Sequence, residues 1–411
     1  VSGYRPLAVS ADAGKTWRRI DGDRSVGVFE ITDGTFDLWV DDRYAETDEA
    51  KRGPSYYDAL TFAPYEKTTV ATVHGWAKER VRERLARGVD AVRLADGGVY
   101  VNWRLLDDDP EGIAFDVYRQ VPGQQPQRVN DQPILRTTDF VDRAAPPNQP
   151  CQYTVTLAGQ PQDRVPSPSA TARPTEPPYM AIKFQCDYQA NQVAIADLTG
   201  DGRYDYIIKK PGYIIWKLLY HWRRSTETYK LEAYDADGKF LWRYDMGWGI
   251  ELEVSKSPFS AYDLDGDGRA EVFCMAGPPD PRDANGHVEH GPHDVVVIDG
   301  LTGKVRCRAP WPSQDGFTPH RAWHNQLCVA YLDGKTPCLI LARGIYNLQK
   351  VWAYQLRAGQ LELLWNWNNL GAGKEYWGQG AHTIHAADMD GDGRDEVVLG
   401  SSVLDDDGSP L

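Results

Sequence analysis

No apolar run in this 411-residue chain approaches the ~18 residues that a membrane-spanning helix needs. Positive charge is also short: 45 Lys and Arg stand against 59 Asp and Glu, a formal net charge of -14. No basic stripe with interleaved aromatics is present, which argues against nucleic acid as a partner. Cysteine is scarce, and six in this length do not make a disulfide scaffold. Cys328 and Cys338 flank the turn-forming Asp333 and Gly334, so a cross-hairpin bridge and two free buried thiols both stay open. Also absent at Val1 are an initiator methionine and a charged-then-apolar leader, so the sequence reads as a processed or engineered mature form.

What the chain does have is turn formers and aromatics: 38 Gly, 27 Pro, 14 Trp and 22 Tyr. That mixture suits a turn-rich β protein whose aromatics serve as core or as platforms for sugar rings. With 41% hydrophobic and 25% charged residues the chain can bury real cores. Its length suggests two or three domains at about 150 residues each.

The expected class is all-β throughout. Residues 1–86 read as a small β-rich module, in which Ser10, Asp12, Gly14, Thr16 and Trp17 resemble the Asp-box hairpin. The run ERVRERL at 79–85 reads as a short helical linker. From 87 to 172, period-two segments such as Val99–Trp103 and Cys151–Thr156 predict a sandwich, with a fibronectin type III-like module as first choice. The Pro/Ser/Thr-rich stretch 161–178 reads as an interdomain linker.

Residues 173–411 repeat themselves. Related units carry Asp197, Asp263, Asp333 and Asp388, spaced 55 to 70 residues apart, and each continues with a second turn signature such as Asp235-Ala-Asp-Gly238. Two hairpins per unit at this period predict blades of a β-propeller. About three and a half blades are expected, too few to close a ring. The chain is therefore expected to be part of a larger protein, with the missing blades removed or on another chain.

The strongest chemical signal is D-x-[DT]-G-D-G-x-x-[DE], present three times. Oxygen ligands at two-residue intervals, with glycines that let the backbone bend, resemble the calcium loop of an EF-hand. The implied ligands are Asp197, Thr199, Asp201 and Asp205 in the first loop, and Asp263, Asp265, Asp267 and Glu271 in the second. Asp388, Asp390, Asp392 and Glu396 complete the set. Several calcium ions are thus expected, and millimolar extracellular calcium favours a secreted or periplasmic setting. A second constellation lies near the blade openings: Lys209 and Lys210, His320, Arg321 and His324, Arg343 and Tyr346, Trp377, His382 and His385. Recurrence at one edge of successive blades predicts a ligand-binding rim.

Over roughly 87–411 these residues resemble polysaccharide lyase family 11, the rhamnogalacturonan lyases. The likeness is closest at Val329–Gly334, Arg343–Tyr346 and Gly378–His382. It implies a fibronectin-like domain followed by an eight-bladed, calcium-studded propeller, cutting the rhamnosyl-galacturonate backbone of pectin by β-elimination. Asn191 and His382 match family site residues. Lys209-Lys210-Pro211 stands where the family has Lys-Trp-Asp, so a site carboxylate is missing. The chemistry asks for a base, His382 or His324, and for carboxylate clamps, Lys210, Arg321 or Arg343. Lys209, His320, Tyr346, His385 and Trp377 are the expected substrate contacts, and an acidic polysaccharide is the expected partner. A non-catalytic glycan-binding propeller, and a lyase or hydrolase on another acidic polysaccharide, are the alternatives.

Overall fold

The chain is all-β in a computed structural model. It describes strands within 7–41 as backbone, and residues 80–411 except 107–108, 160–169, 175–179, 186, 188, 213–226, 251–256, 278–279, 281, 283, 285–292, 318–323 and 373–375. The chain divides into two units, Val1–Thr72 and Val73–Leu411.

In the first unit β1 (Leu7–Ser10) pairs antiparallel with β2 (Arg18–Ile20) and with β3 (Trp39–Asp41). The β1–β2 hairpin brackets the Asp-box, whose residues 11–17 lie outside the described residues.

The second unit starts its described part earlier than the sequence boundary at 86/87 suggests. Residues 80–86 form no helix, although ERVRERL has helical composition. Long-range hydrogen bonds override that propensity: Val81 N donates to Lys335 O at 2.8 Å, and Ala86 N to Gly202 O at 2.8 Å. Two sheets follow. One holds β4 (Asp90–Arg93), β5 (Val99–Asn102) and β8 (Asp139–Asp142). The other holds β6 (Phe115–Gln120), β7 (Gln127–Arg128), β9 (Gln152–Leu157) and β10 (Ala170–Thr171). Their alternating apolar residues, including Val99, Val101, Phe115, Val117, Tyr153 and Val155, meet in one buried core. Thus Ala170 and Thr171, inside the expected linker, are an edge strand of this pair of sheets.

Four meander sheets come next. They are β11 (Gln192–Ala196), β12 (Asp205–Lys210), β13 (Lys230–Tyr234) and β14 (Phe240–Asp245); β15 (Phe259–Tyr262), β16 (Glu271–Ala276), β17 (Asp294–Ile298) and β18 (Val305–Pro310). Then follow β19 (Asn325–Ala330), β20 (Cys338–Arg343), β21 (Lys350–Arg357) and β22 (Gln360–Asn368); and β23 (His385–Ala387), β24 (Glu396–Leu399) and β25 (Ser402–Leu404). Strands β16 and β20 are buried along their whole length, as expected when both faces of a sheet are covered. One core joins the first three sheets and another joins the third to the fourth. First strands lie side by side, β11 by β15, β15 by β19 and β19 by β23. Outer strands lock onto the next sheet: Trp242 Nε1 donates to Gly300 O at 2.6 Å, and Trp365 Nε1 to Asp406 O at 2.7 Å. Cys328 and Cys338 are both free thiols; Cys328 is paired with Ile340 in the ladder, and Cys338 with Ala330.

This register gives every sheet two distinct ends. Ala196 faces Asp205, Tyr262 faces Glu271, Ala330 faces Cys338 and Ala387 faces Glu396. All the acidic turns therefore lie at the end of a first strand. Asn191, Lys210, His324, Arg343 and His382 lie at the opposite end, a strand length or roughly 15 Å away.

Candidate active site and acidic loops

At the acidic end, each turn is built by its first aspartate. Asp197 accepts the amides of Gly200 (2.7 Å) and Gly202 (2.7 Å); Asp263 accepts Gly266 (2.7 Å) and Gly268 (2.9 Å); Asp388 accepts Gly391 (2.8 Å) and Gly393 (3.1 Å). The last acid accepts the amide just after the first: Leu198 to Asp205 at 2.8 Å, Leu264 to Glu271 at 3.0 Å, Met389 to Glu396 at 2.5 Å. Gly202 has a φ of +80° and would drive a Cβ to within 2.7 Å of Ala86, so only glycine fits there.

The structure gathers three of the four expected carboxylates in two loops: Asp263, Asp265 and Glu271, and Asp388, Asp390 and Glu396. The acids at the fifth position of the three loops lie outside these groups. Asp201, Asp267 and Asp392 accept the backbone amides of Arg203 (2.9 Å), Arg269 (2.9 Å) and Arg394 (2.8 Å). The degenerate third loop has Tyr331 and Cys338 at the outer acid positions, and Asp333 caps an ordinary turn.

Crowding these carboxylates in a buried turn disfavours their charge. Burial, then neighbouring Asp265, raises Glu271 to about 7, and burial raises Asp205 to about 6. Burial also raises Asp263 and Glu396. Glu396 is fully buried and its Oε1 has no hydrogen-bond partner; Asp205 Oδ1 is likewise orphaned. A buried carboxylate oxygen without a donor is what a hard cation would satisfy, so the fourth loop fits calcium.

At the other end three expected residues converge. Tyr346 Oη and His382 Nε2 are 2.7 Å apart, and His324 meets the His382 ring edge-on at 5.3 Å. Tyr346 is 41% exposed at a φ of 60°, a left-handed conformation rare for an aromatic residue. The turn is held by Gly344 N donating to His324 O (2.8 Å) and Gly380 N to Tyr346 O (3.2 Å). Sequence reasoning missed Gln349 beneath it, buried, with neither amide atom hydrogen-bonded; a Cβ at Gly380 would strike it at 2.2 Å. Nothing in its polar letter distinguishes that glutamine from a surface one. His382, His385 and Trp377 are exposed.

The expected cationic clamps sit differently. Lys209 and Lys210 are fully buried. Lys210 Nζ pairs with Glu232 at 2.5 Å, and Lys209 Nζ donates to Ser257 O at 2.6 Å over the Tyr229 ring. Arg343 is 1% exposed, donating Nε to Pro312 O (2.6 Å) and Nη2 to His293 Nδ1 (3.0 Å). Burial pushes its pKa down to about 9. In these positions the three cations brace the sheets. Asn191 keeps its place at the same end of the first sheet, and neither polar atom of its side chain is hydrogen-bonded. His320 and Arg321 lie outside the described residues.

The model of the rhamnogalacturonan lyase family 11 C-terminal domain matches residues 182–411, and that of the rhamnogalacturonan I lyase beta-sheet domain matches 80–171. The chain belongs to rhamnogalacturonan lyase family 11. It is 32% identical over 385 residues to the rhamnogalacturonan endolyase YesW of Bacillus subtilis (strain 168), covering 84% of this chain and 59% of that protein. With the exolyase YesX of the same organism it shares 31% over 376 residues, covering 81% and 58%. The crystal structure of exotype YesX superposes with a TM-score of 0.71 at 30% identity, over 81% of this chain and 59% of that one. A Bacillus licheniformis rhamnogalacturonan lyase gives 0.69 at 30% identity, over 82% and 61%. The chain thus spans about three-fifths of the length of these relatives.

Proposed function

We propose that this chain carries the lyase activity of its family, cleaving rhamnogalacturonan-type pectin by β-elimination in a secreted or periplasmic setting. The observation that carries the reading is the exposed Tyr346–His382 pair, a hydrogen-bonded acid–base couple at the ligand-accessible end. In that reaction a base takes the proton α to the uronate carboxylate, electrons move into the new double bond, and the C4–oxygen bond breaks. The leaving sugar oxygen takes up a proton, and the unsaturated uronate becomes the new non-reducing end of the other fragment. His382 is the base in this reading, with Tyr346 fixing its ring and relaying the proton. His324 limits the freedom of the His382 ring.

Four successive meanders with adjacent first strands support the propeller reading, and the two-sheet module before them supports the fibronectin-like one. Exposed Val193 and Ile195 on β11 offer an apolar face of the kind a further sheet of the ring covers. Asp388, Asp390 and Glu396 would hold calcium. A bound ion there would neutralise the carboxylates and fix the turn. Its distance from Tyr346 and His382 favours a structural part over a catalytic one.

The test is incubation of the 411-residue chain with rhamnogalacturonan, following ultraviolet absorbance of unsaturated uronate and product mass. Unsaturated products support elimination. Products heavier by one water indicate a hydrolase, and saturable binding without products indicates a glycan-binding module; either result overturns the proposal.

A further inference from the structure

The ladders between third and fourth strands slip by one residue at the same place in three sheets, between Ala233 and Tyr234, Val297 and Ile298, and Ala353 and Tyr354. The residue left unpaired in the outer strand is Leu241 in the first sheet, Arg306 in the second and Leu364 in the third. Both leucines pack against the hydrophobic cores. Arg306 reaches over the turn of its own sheet: Nη2 donates to Asp265 Oδ2 at 2.7 Å, and Nη1 bonds Glu271 Oε1. Those are two of the three carboxylates that converge in the second loop.

Among the described residues, the fourth loop has the same triplet without such a cation. Its own arginine, Arg394, donates Nη1 to Asp406 at 2.7 Å, and Glu396 Oε1 keeps no hydrogen-bond partner. A divalent ion placed among Asp263, Asp265 and Glu271 would have to share two carboxylates with a guanidinium that already satisfies them, and like charges at such range repel strongly. One delocalised cation already supplies the compensation that a hard ion supplies elsewhere.

We propose that Arg306 is the resident cation of the second loop, which holds its turn without a divalent ion although its acidic motif is complete. The inference rests on reading these loops as calcium loops. It is tested by calcium titration calorimetry of the chain and of Arg306→Leu, which restores the side chain found at the other two bulges. The variant is expected to bind one more calcium ion per chain, and to gain more melting temperature from calcium than the wild type does. An unchanged stoichiometry overturns the proposal.

Should Arg306→Leu fail to fold, Glu271→Gln and Glu396→Gln answer the question on the wild-type background. Glu271→Gln is expected to leave the number of bound ions unchanged; loss of one ion overturns the proposal. Glu396→Gln is expected to remove one, and its failure to do so would count against the calcium reading of the fourth loop separately.

Discussion

The two ends of the meander sheets solve opposite problems with the same backbone. At the acidic end the first and last carboxylates of each acidic loop accept amides of the turn that presents them, and residues 80–86 run across all four loops, touching Gly202, Gly266, Lys335 and Asp395. At the other end His382, His385, Tyr346 and Trp377 are exposed. A rigid scaffold that lends mobile or exposed groups to a ligand is the usual division of labour. On the proposed reading the louder motif is the less chemical one: three acidic loops dominate the sequence, yet the Tyr346–His382 pair lies at the other end.

The comparison breaks first on activity. His382→Ala removes an exposed ring that supports no core, so the fold should survive, while a general base contributes about 10²- to 10⁴-fold in rate. Loss of that size in kcat at unchanged melting temperature is the expected outcome. Tyr346→Phe should cost less, because the imidazole remains. An active His382→Ala enzyme would show that the converging rings are structural.

Lys210→Met is expected to fall on stability instead. Glu232 is fully buried and also bonds Arg243 (2.5 Å) and Tyr234, but of Lys210 and Arg243 only Lys210 is fully buried. Breaking a buried pair from one side costs about 3 kcal/mol, measurable by denaturant unfolding. If Lys210 were a substrate clamp, KM would rise with stability untouched.

A third measurement uses His293, also at the open end but buried. Arg343 and Gln314 both approach its Nδ1, at 3.0 and 3.1 Å. Burial, then the Arg343 charge, lowers its pKa from 6.5 to about 3. The unfolded chain therefore takes up a proton below 6.5 that the folded chain refuses. Stability from this group is complete above that value and falls about tenfold in the folding equilibrium per pH unit below it, down to the folded value. His293→Gln keeps an acceptor for Arg343 and should flatten the decline between pH 6.5 and 5; an identical decline in both proteins would refute the assignment.

Local pattern made much of this legible. The β class followed from period-two runs such as Val99–Trp103 and Cys151–Thr156, and the acidic turns from ligands that span only nine residues. What distance brings together was not legible. Lys209 and Lys210 look like surface charge until β12 is set beside β13, whose Glu232 supplies the partner of Lys210. ERVRERL looks helical until the amides of Val81 and of the adjoining Ala86 find Lys335 and Gly202. Arg306 did leave a signal: Phe240-Leu241-Trp242 and Leu363-Leu364-Trp365 correspond to Val305-Arg306-Cys307, a charge where the repeat is apolar.

The smallest effect expected is at Arg80, and it sharpens the comparison most. Arg80 Nη2 donates to Asp395 at 2.7 Å and its guanidinium lies 4.4 Å from the Tyr331 ring centre. Both partners of the ion pair are largely buried, as at Lys210, yet the consequences should differ. Asp395 also accepts Tyr331 N at 2.8 Å, so the carboxylate keeps a donor when Arg80 is removed. Arg80→Ala is therefore expected to cost about 1 kcal/mol, less than a fully enclosed pair. The loss should appear as faster hydrogen exchange at the Val81 amide, while the Ala86 amide stays protected by Gly202. Global destabilisation as large as that of Lys210→Met would mean that residues 80–86 are as integral to the fold as the sheets, and the contrast between a self-braced end and an open one would have to be redrawn.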